Sequence, residues 1–450
     1  MSKRHEHWGS RIGFLLASAG SAIGLGSLWR FPYVTGENGG GAFVLLYLFF
    51  TAFIALPALI GELLLGRNSQ RSSVLAYTQA GENSNWRVLG WLSFLTTFLI
   101  LSYYNVVAGW TLNYALMSLV QFTKGKTPQE IQESFSLLYD SGDINLFWLI
   151  VYMLINVGVV LSGVRKGIER WSRILMPLLF IILIGMFFFS ITLPGFPKAV
   201  SFLLTPDFSK VTGTTVLTAL GMSFFTISVG LGINVTYGSY LRDSTSIPKM
   251  SVLIATMTTF VSIIAALMIF PIIFTYNFPP EGGPGLIFKT MPLLFSKMPA
   301  SILLSTIFFL LVFFAALTST IALLEVLVAN IMEVFEWTRK KAVWAVSLAV
   351  FVMGIPSALA GSNTLFSKWE AIYGENFFDT LSNVTADWMM PIAALGSTLF
   401  IGWVLQNDVR KEEYSKPEGH RMFYWLWNPL IKFLAPISVI LILLQKSGLF

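Results

Sequence analysis

The 450-residue chain contains no cysteine, which removes disulfide frameworks and every thiolate-based metal or redox centre. Histidine is nearly as scarce: His5 and His7 sit near the N-terminus and His420 in a late polar stretch, so a histidine-built catalytic or metal centre is not supported. Charge is sparse as well. Asp, Glu, Lys and Arg make up 12% of the residues against 55% hydrophobic ones, a balance that no soluble domain of this size could keep in solution. The composition is that of an integral membrane protein. Its start, MSKRHEHWGSR, is basic and polar, but the apolar segment behind it lacks a small-residue cleavage site, so a retained first helix is expected rather than a signal peptide.

Windows of about 20 apolar residues place eleven spans, centred near residues 22, 52, 103, 153, 180, 227, 262, 317, 350, 391 and 436. All are expected to be helices, because a segment in hydrocarbon must satisfy its own backbone groups. With the N-terminus inside, nineteen Lys and Arg, from Lys3 and Arg4 to Lys416 and Arg421, fall on inside segments, and eight, from Lys124 to Lys446, fall outside. That bias puts the N-terminus in the cytoplasm and the C-terminus outside, and it accounts for the net charge of +6 without an acidic partner or nucleic acid. The longer outside loops, roughly 121–143, 191–213 and 276–299, carry turn residues such as PPEGGPG and read as structured caps or lids. One membrane domain, residues 1–450, is expected.

The first span holds AGSAIGLGSLWRFP (19–32), with glycines at 20, 24 and 26, Arg30 and Pro32, where an unbroken helix would be the default. The sixth holds SVGLGIN (228–234), so Gly-Leu-Gly recurs at mid-span. If residues of about 8–190 are repeated by about 214–405, the second copy starts on the opposite side of the membrane, because five is odd; an extra helix, about 423–446, follows. This is a 5+5 inverted repeat whose broken helices 1 and 6 meet near the midplane and free backbone groups to act as ligands. The plainer alternative is that small residues only let helices pack closely, and the paired placement argues against it.

Glu6-His7-Trp8, AGSAIGLGSLWRFP, ENGGGAF (37–43), GELLLGR (61–67), SYYNVVAGW (102–110), GVRKGIERW (163–171), FFTISVGLG (224–232) and ALTSTIA (316–322) together resemble the bacterial, leucine-transporting branch of the neurotransmitter:sodium symporter family. The resemblance runs over essentially the first ten spans. It implies one sodium site from the carbonyls of Gly20, Ile23 and Ala315 with the hydroxyls of Thr318 and Ser319, neutral oxygens suited to a hard cation. Taken alone, those hydroxyls would read as bonding back to the preceding turn. A second site is implied at Ala22, Ser27, Thr226 and Thr258, completed by the substrate carboxylate. Leucine-transporting members carry asparagine amides in place of Ser27 and Thr258, so one or two sodium ions are both open. Ser262 falls where chloride-dependent members have a serine, which leaves chloride open too.

For the substrate, the resemblance implies that the Leu25 and Gly26 amides and the Tyr104 hydroxyl hold a carboxylate, while the Ala22 and Phe225 carbonyls and Ser228 take an ammonium. Ile100, Tyr104, Phe225, Leu231, Ser319 and Leu323 form the side-chain pocket, with Thr226 beside it. It carries no charge, so a neutral hydrophobic amino acid fits. Gly24 stands where amine-transporting members have an aspartate. Arg30 and Asp379 are the expected outer gate, with Tyr104 and Phe225 as lid and Asp387 as the rival acid. Glu333 and Trp8 are expected at the inner gate, where His5 replaces the family's arginine. Glu62 reads as a protonated or water-linked group behind the site, Glu325 has no evident role, and Gly167 and Pro177 mark where the fifth span can unwind.

The function expected is sodium-coupled import of a small hydrophobic amino acid by alternating access, in a monomer or weak dimer within the cell inner (plasma) membrane lipid bilayer. A proton-coupled permease of the same architecture and a transporter-like receptor are the competing readings. An enzyme is not expected, because the buried charges form no nucleophile, base and orienter set.

Overall fold

The computed structural model describes residues 6–81, 84–277, 285–362, 364–366, 368–417 and 423–448. His5, Arg4, His420 and all but the last residue of PPEGGPG lie outside the described residues. Among those described, the structure is helical, with one isolated bridge between Gly40 and Pro206. Nine helices among the described residues are long and apolar enough to cross a membrane: α3 (Gly41–Ser69), α4 (Arg87–Leu119), α5 (Gly142–Leu161), α6 (Val164–Ile191), α9 (Ile247–Tyr276), α10 (Ser301–Val334), α11 (Arg339–Ala358), α12 (Phe377–Val404) and α13 (Tyr424–Lys446). A tenth candidate is a bent pair, α1 (Arg11–Ala22) and α2 (Gly26–Glu37), which meet at 55°. Between α6 and α9 lie α7 (Gly213–Ile227) and α8 (Ile233–Ser239), each too short to cross alone.

Both interruptions have local causes. At Ser10 the side chain accepts the Gly13 N–H at 2.9 Å and starts α1, which stops at Ala22 because Ile23 turns to ψ 74°. Thr212 and Thr215 cap α7 reciprocally, and the helix ends where Ser228 enters the left-handed region at φ 57°. Gly230 and Gly232 continue there at φ +87° and +72°, which side chains rarely adopt, so the second Gly-Leu-Gly is a conformational requirement.

The core is organised around α10, which packs most extensively on α4 and also touches α1 and α6. Close approach of α8 to α3 depends on two absent side chains. A Cβ on Gly66 would lie 1.9 Å from the Val235 carbonyl oxygen, and one on Gly238 2.6 Å from that of Leu63. Shorter helices cap the bundle, including Pro128–Asp140 and Phe196–Leu204 within the two longer loops described, as expected of structured caps.

Candidate functional site: the crossing of the broken helices

The backbone ladder of α1 closes with Ile23 N–H donating to Ala19 O at 2.7 Å and resumes with Ser27 N–H donating to Gly24 O at 3.2 Å. Carbonyls in between point out of a helix C-terminus, the negative end of its dipole, without backbone donors. Side chains from elsewhere meet them. Ser319 Oγ, on α10, lies 3.3 Å from Gly20 O and 3.2 Å from Ser21 O, and Ser27 Oγ lies 3.4 Å from Ala22 O. Thr318 Oγ1 donates to Ala315 O at 3.0 Å, and a Cβ on Gly20 would stand 3.1 Å from Thr318 Cβ, so the bare glycine lets α1 approach α10 there. Gly20, Ala315, Thr318 and Ser319 are thus brought together, with Ile23 buried at the turn. Every oxygen in this set is neutral, and no cluster of His, Cys, Asp and Glu that could hold a metal exists among the described residues. Carbonyls and hydroxyls of this kind suit a hard monovalent cation.

Ser27, Thr226 and Thr258 are all buried, but no hydrogen bond among the described residues joins them to one another. Thr258 donates to Ile254 O at 2.9 Å and Ser262 to Thr258 O at 3.1 Å, both back to the preceding turn. Thr226 donates to Met222 O at 3.0 Å and accepts the Tyr47 hydroxyl at 3.1 Å. Tyr47 was not singled out from sequence; its tie to a residue 179 positions on is a tertiary fact.

Around the same break, Leu25 N–H donates to Tyr104 Oη at 3.1 Å. A Cβ on Gly26 would fall 2.5 Å from Phe225 Cε1, which brings the aromatic ring directly over the backbone of α2. Ile100, Leu231 and Leu323 are buried, and the Leu231 carbonyl accepts from Thr97 Oγ1 at 2.7 Å. Ser228 is buried at the end of α7. The second break is held by Glu62. Its carboxylate accepts Gly230 N–H, Asn234 Nδ2 and Ser397 Oγ, each at 2.9 Å, and is fully buried. Glu62 is therefore the acceptor that fixes the unwound segment, where sequence reading gave it only a vague supporting place.

Over Phe225, the Arg30 guanidinium carbon lies 4.4 Å from the ring centroid. Arg30, Phe225, Asp387 and Lys446 line a cavity of about 330 Å³. Asp379, the acid expected to pair with Arg30 when the site closes, is held elsewhere in this structure: it accepts from Asn376 Nδ2 at 2.7 Å and donates its own N–H to Asn376 Oδ1 at 2.9 Å in the first turn of α12. A carboxylate there satisfies a helix N-terminus, and the rival Asp387, further along α12, is the acid facing the Arg30 cavity.

At the other end, Trp8 is 5% exposed and donates its indole N–H to Tyr237 O at 3.0 Å, with Phe14, Tyr237 and Tyr240 edge-on around it. Glu333 accepts Ser72 N–H at 2.9 Å and Ser72 Oγ at 2.8 Å, capping the helix Ser73–Ala80; the residues expected to oppose it, His5 and Arg4, lie outside the described residues. An ion-pair network sits beside the tryptophan. Arg339 pairs with Glu325 at 2.7 Å and Glu6 at 3.1 Å, and Glu325 also accepts Tyr240 Oη at 2.8 Å. Sequence reading assigned Glu325 nothing, because its partners, Arg339 and Tyr240, come from two other segments. Gly167 and Pro177 lie within the continuous α6 in this conformation.

The family model described as the sodium:neurotransmitter symporter family matches residues 5–135 and 127–448. YhdH of Bacillus subtilis, described as an uncharacterized sodium-dependent transporter, is 37% identical over 443 residues, covering 98% of each chain. A Haemophilus influenzae protein with the same description is 34% identical and covers 99% of each. Among solved structures, MhsT in complex with L-phenylalanine agrees with a TM-score of 0.89 at 36% identity, over 98% of this chain and 99% of that one. Agreement along the whole length, with the broken helices in the same fold, makes the chain a member of the sodium:neurotransmitter symporter family: a multi-pass membrane symporter coupled to sodium, and not an enzyme.

Proposed function

We propose that the chain imports a neutral hydrophobic amino acid together with sodium by alternating access. The observation that carries this reading is the arrangement around Gly24. The Leu25 amide, which donates to the Tyr104 hydroxyl at 3.1 Å, and the bare Gly24 beside it form a receptor for a carboxylate at the positive end of α2, the incoming carboxylate accepting from both the amide and the hydroxyl. The carbonyls left at the negative end of α1 meet the Ser319 hydroxyl and receive the cation. One broken helix thereby offers opposite polarities to the two cargoes. Ile100, Phe225, Leu231 and Leu323 surround the substrate side chain, and an unpaired charge there would lose its hydration without compensation. The likeness to MhsT, whose structure contains L-phenylalanine, supports an amino acid of this class.

Gly20, Ile23, Ala315, Thr318 and Ser319 hold one sodium ion. Ala22, Ser27, Thr226 and Thr258 hold a second, with the substrate carboxylate as a further ligand. On this reading α1 with α2, and α7 with α8, are each one crossing, which makes eleven crossings and two inverted repeats of five. The N-terminus is cytoplasmic and the C-terminus outside, as the basic inside segments require. Arg30 and Asp387 close the outer path over Phe225, and Trp8 with the Arg339–Glu325 pair closes the inner one. Uptake by purified protein in liposomes, with a panel of amino acids and with sodium or potassium gradients, is the test. Uptake of leucine or phenylalanine only under a sodium gradient is expected; gradient-independent uptake, or uptake driven by pH alone, overturns the proposal.

A further inference from the structure

Among the described residues Asp387 carries one ion pair, and its partner is not Arg30. Lys446 Nζ, in the last turn of α13, lies 2.8 Å from Asp387 Oδ2, while the Arg30 guanidinium rests over the Phe225 ring. All four side chains line the same cavity, so two cations share a compartment with one carboxylate. The pair is half-solvated, with the Lys446 side chain 42% and that of Asp387 25% exposed. Helix α13 packs against both α12 and α7, the helices that carry Asp387 and Phe225.

We propose that Lys446 is a positioning residue of the outer gate: while the vestibule is open it holds the Asp387 carboxylate away from Arg30, and closure exchanges one cation for the other. A carboxylate bound to lysine at the rim must give up that contact, or share it, before it can bridge to the guanidinium. As the vestibule closes and water leaves, the Arg30 pairing strengthens, whereas the rim pair stays solvated and weak. The exchange is therefore downhill only when closure is otherwise favoured, by cargo in the site. The last helix, which lies outside the two repeats, thus biases the gate toward open.

This inference rests on the Arg30–Asp387 gate proposed above, and the experiment separates the two. Because the chain has no cysteine, a single Thr218→Cys in the cavity wall reports outer access through its labelling rate by a membrane-impermeant methanethiosulfonate reagent in liposomes. In that background Lys446→Gln is expected to slow labelling roughly two- to fivefold in sodium without amino acid, the range that about 0.5–1 kcal/mol of an exposed pair gives. Lys446→Arg is expected to keep the rate, and Lys446→Gln is expected to add nothing once Asp387→Asn is present. An unchanged rate in Lys446→Gln, with a changed rate in Asp387→Asn, overturns the role of Lys446 and leaves the gate standing. If Asp387→Asn changes neither labelling nor uptake, the gate itself fails and this inference falls with it.

Discussion

The Cβ that Gly24 lacks would lie 2.5 Å from the Ser319 hydroxyl and 2.9 Å from that of Tyr104. Glycine therefore leaves the proposed carboxylate receptor and the proposed cation ligand close about one backbone position, where any side chain must displace one of them. Gly24→Asp is expected to abolish uptake of the amino acid, since it adds a fixed carboxylate as well as the collision. Decarboxylated analogues should bind the native protein at least tenfold less well than their parent amino acids, for about 1–3 kcal/mol per unsatisfied buried group. Competition binding with matched acid and amine pairs checks this, and equal potency within a pair would refute carboxylate recognition.

Ser319 also reaches Gly20 O, which ties the sodium requirement to the same turn. Thr318→Val and Ser319→Ala each remove one hydroxyl ligand while leaving helix α10 intact. The sodium concentration for half-maximal uptake should rise about tenfold in each, on the same energy scale. Sodium titration of uptake at saturating amino acid is the measurement, and an unmoved midpoint in both variants sinks the site.

The outer gate makes a choice between acids. Asp387→Asn should lower turnover several-fold, and Asp379→Asn, at a capped helix start, should cost less than twofold. Exchanging Arg30→Asp with Asp387→Arg should recover part of the loss of either single change. Initial rates at saturating substrate decide the matter; a crippling Asp379→Asn beside a silent Asp387→Asn reverses the assignment.

Glu62 meets three donors with two oxygens. Glu62→Gln turns one oxygen into an NH₂ that faces a donor, and Glu62→Leu takes the carboxylate from all three donors, leaving Asn234 only its 3.4 Å contacts with the Ile227 and Ser228 carbonyls, at about 1–3 kcal/mol for each unsatisfied group. Melting temperature and uptake should both fall in the order native, Gln, Leu. A Leu variant that matches the native protein in both would show that the second break does not depend on this carboxylate.

At the end that holds Trp8, proposed to be cytoplasmic, Glu325→Gln weakens the Arg339 pair and leaves a largely buried guanidinium partly uncompensated. A cysteine placed at Ser21 should then be labelled faster from the cytoplasmic side than in the native background. No acceleration would show that the pair does not hold the inner path shut.

What the amino-acid sequence determined by itself is what local pattern can carry. Apolar length specified a membrane protein, since hydrocarbon admits only backbone that satisfies itself. Paired Gly-Leu-Gly segments marked where two helices stop: at Gly230 and Gly232 the chain turns through φ +87° and +72°, which side chains rarely adopt, and at Gly24 and Gly26 a Cβ would collide with Ser319 and Phe225. Adjacent hydroxyls at Thr318 and Ser319 could be set against the first break through a resemblance that runs over the first ten spans. The tertiary structure alone decided which charges meet. Asp379 and Asp387 lie on one helix, and only the packing of α12 against α13 shows which acid opens onto Arg30 and reaches Lys446. Glu325 finds Arg339 and Tyr240, and Glu62 finds Gly230, Asn234 and Ser397, across separations of up to 335 residues. No spacing in the chain encodes such partners, because helix rotation and crossing set them after the apolar faces have packed.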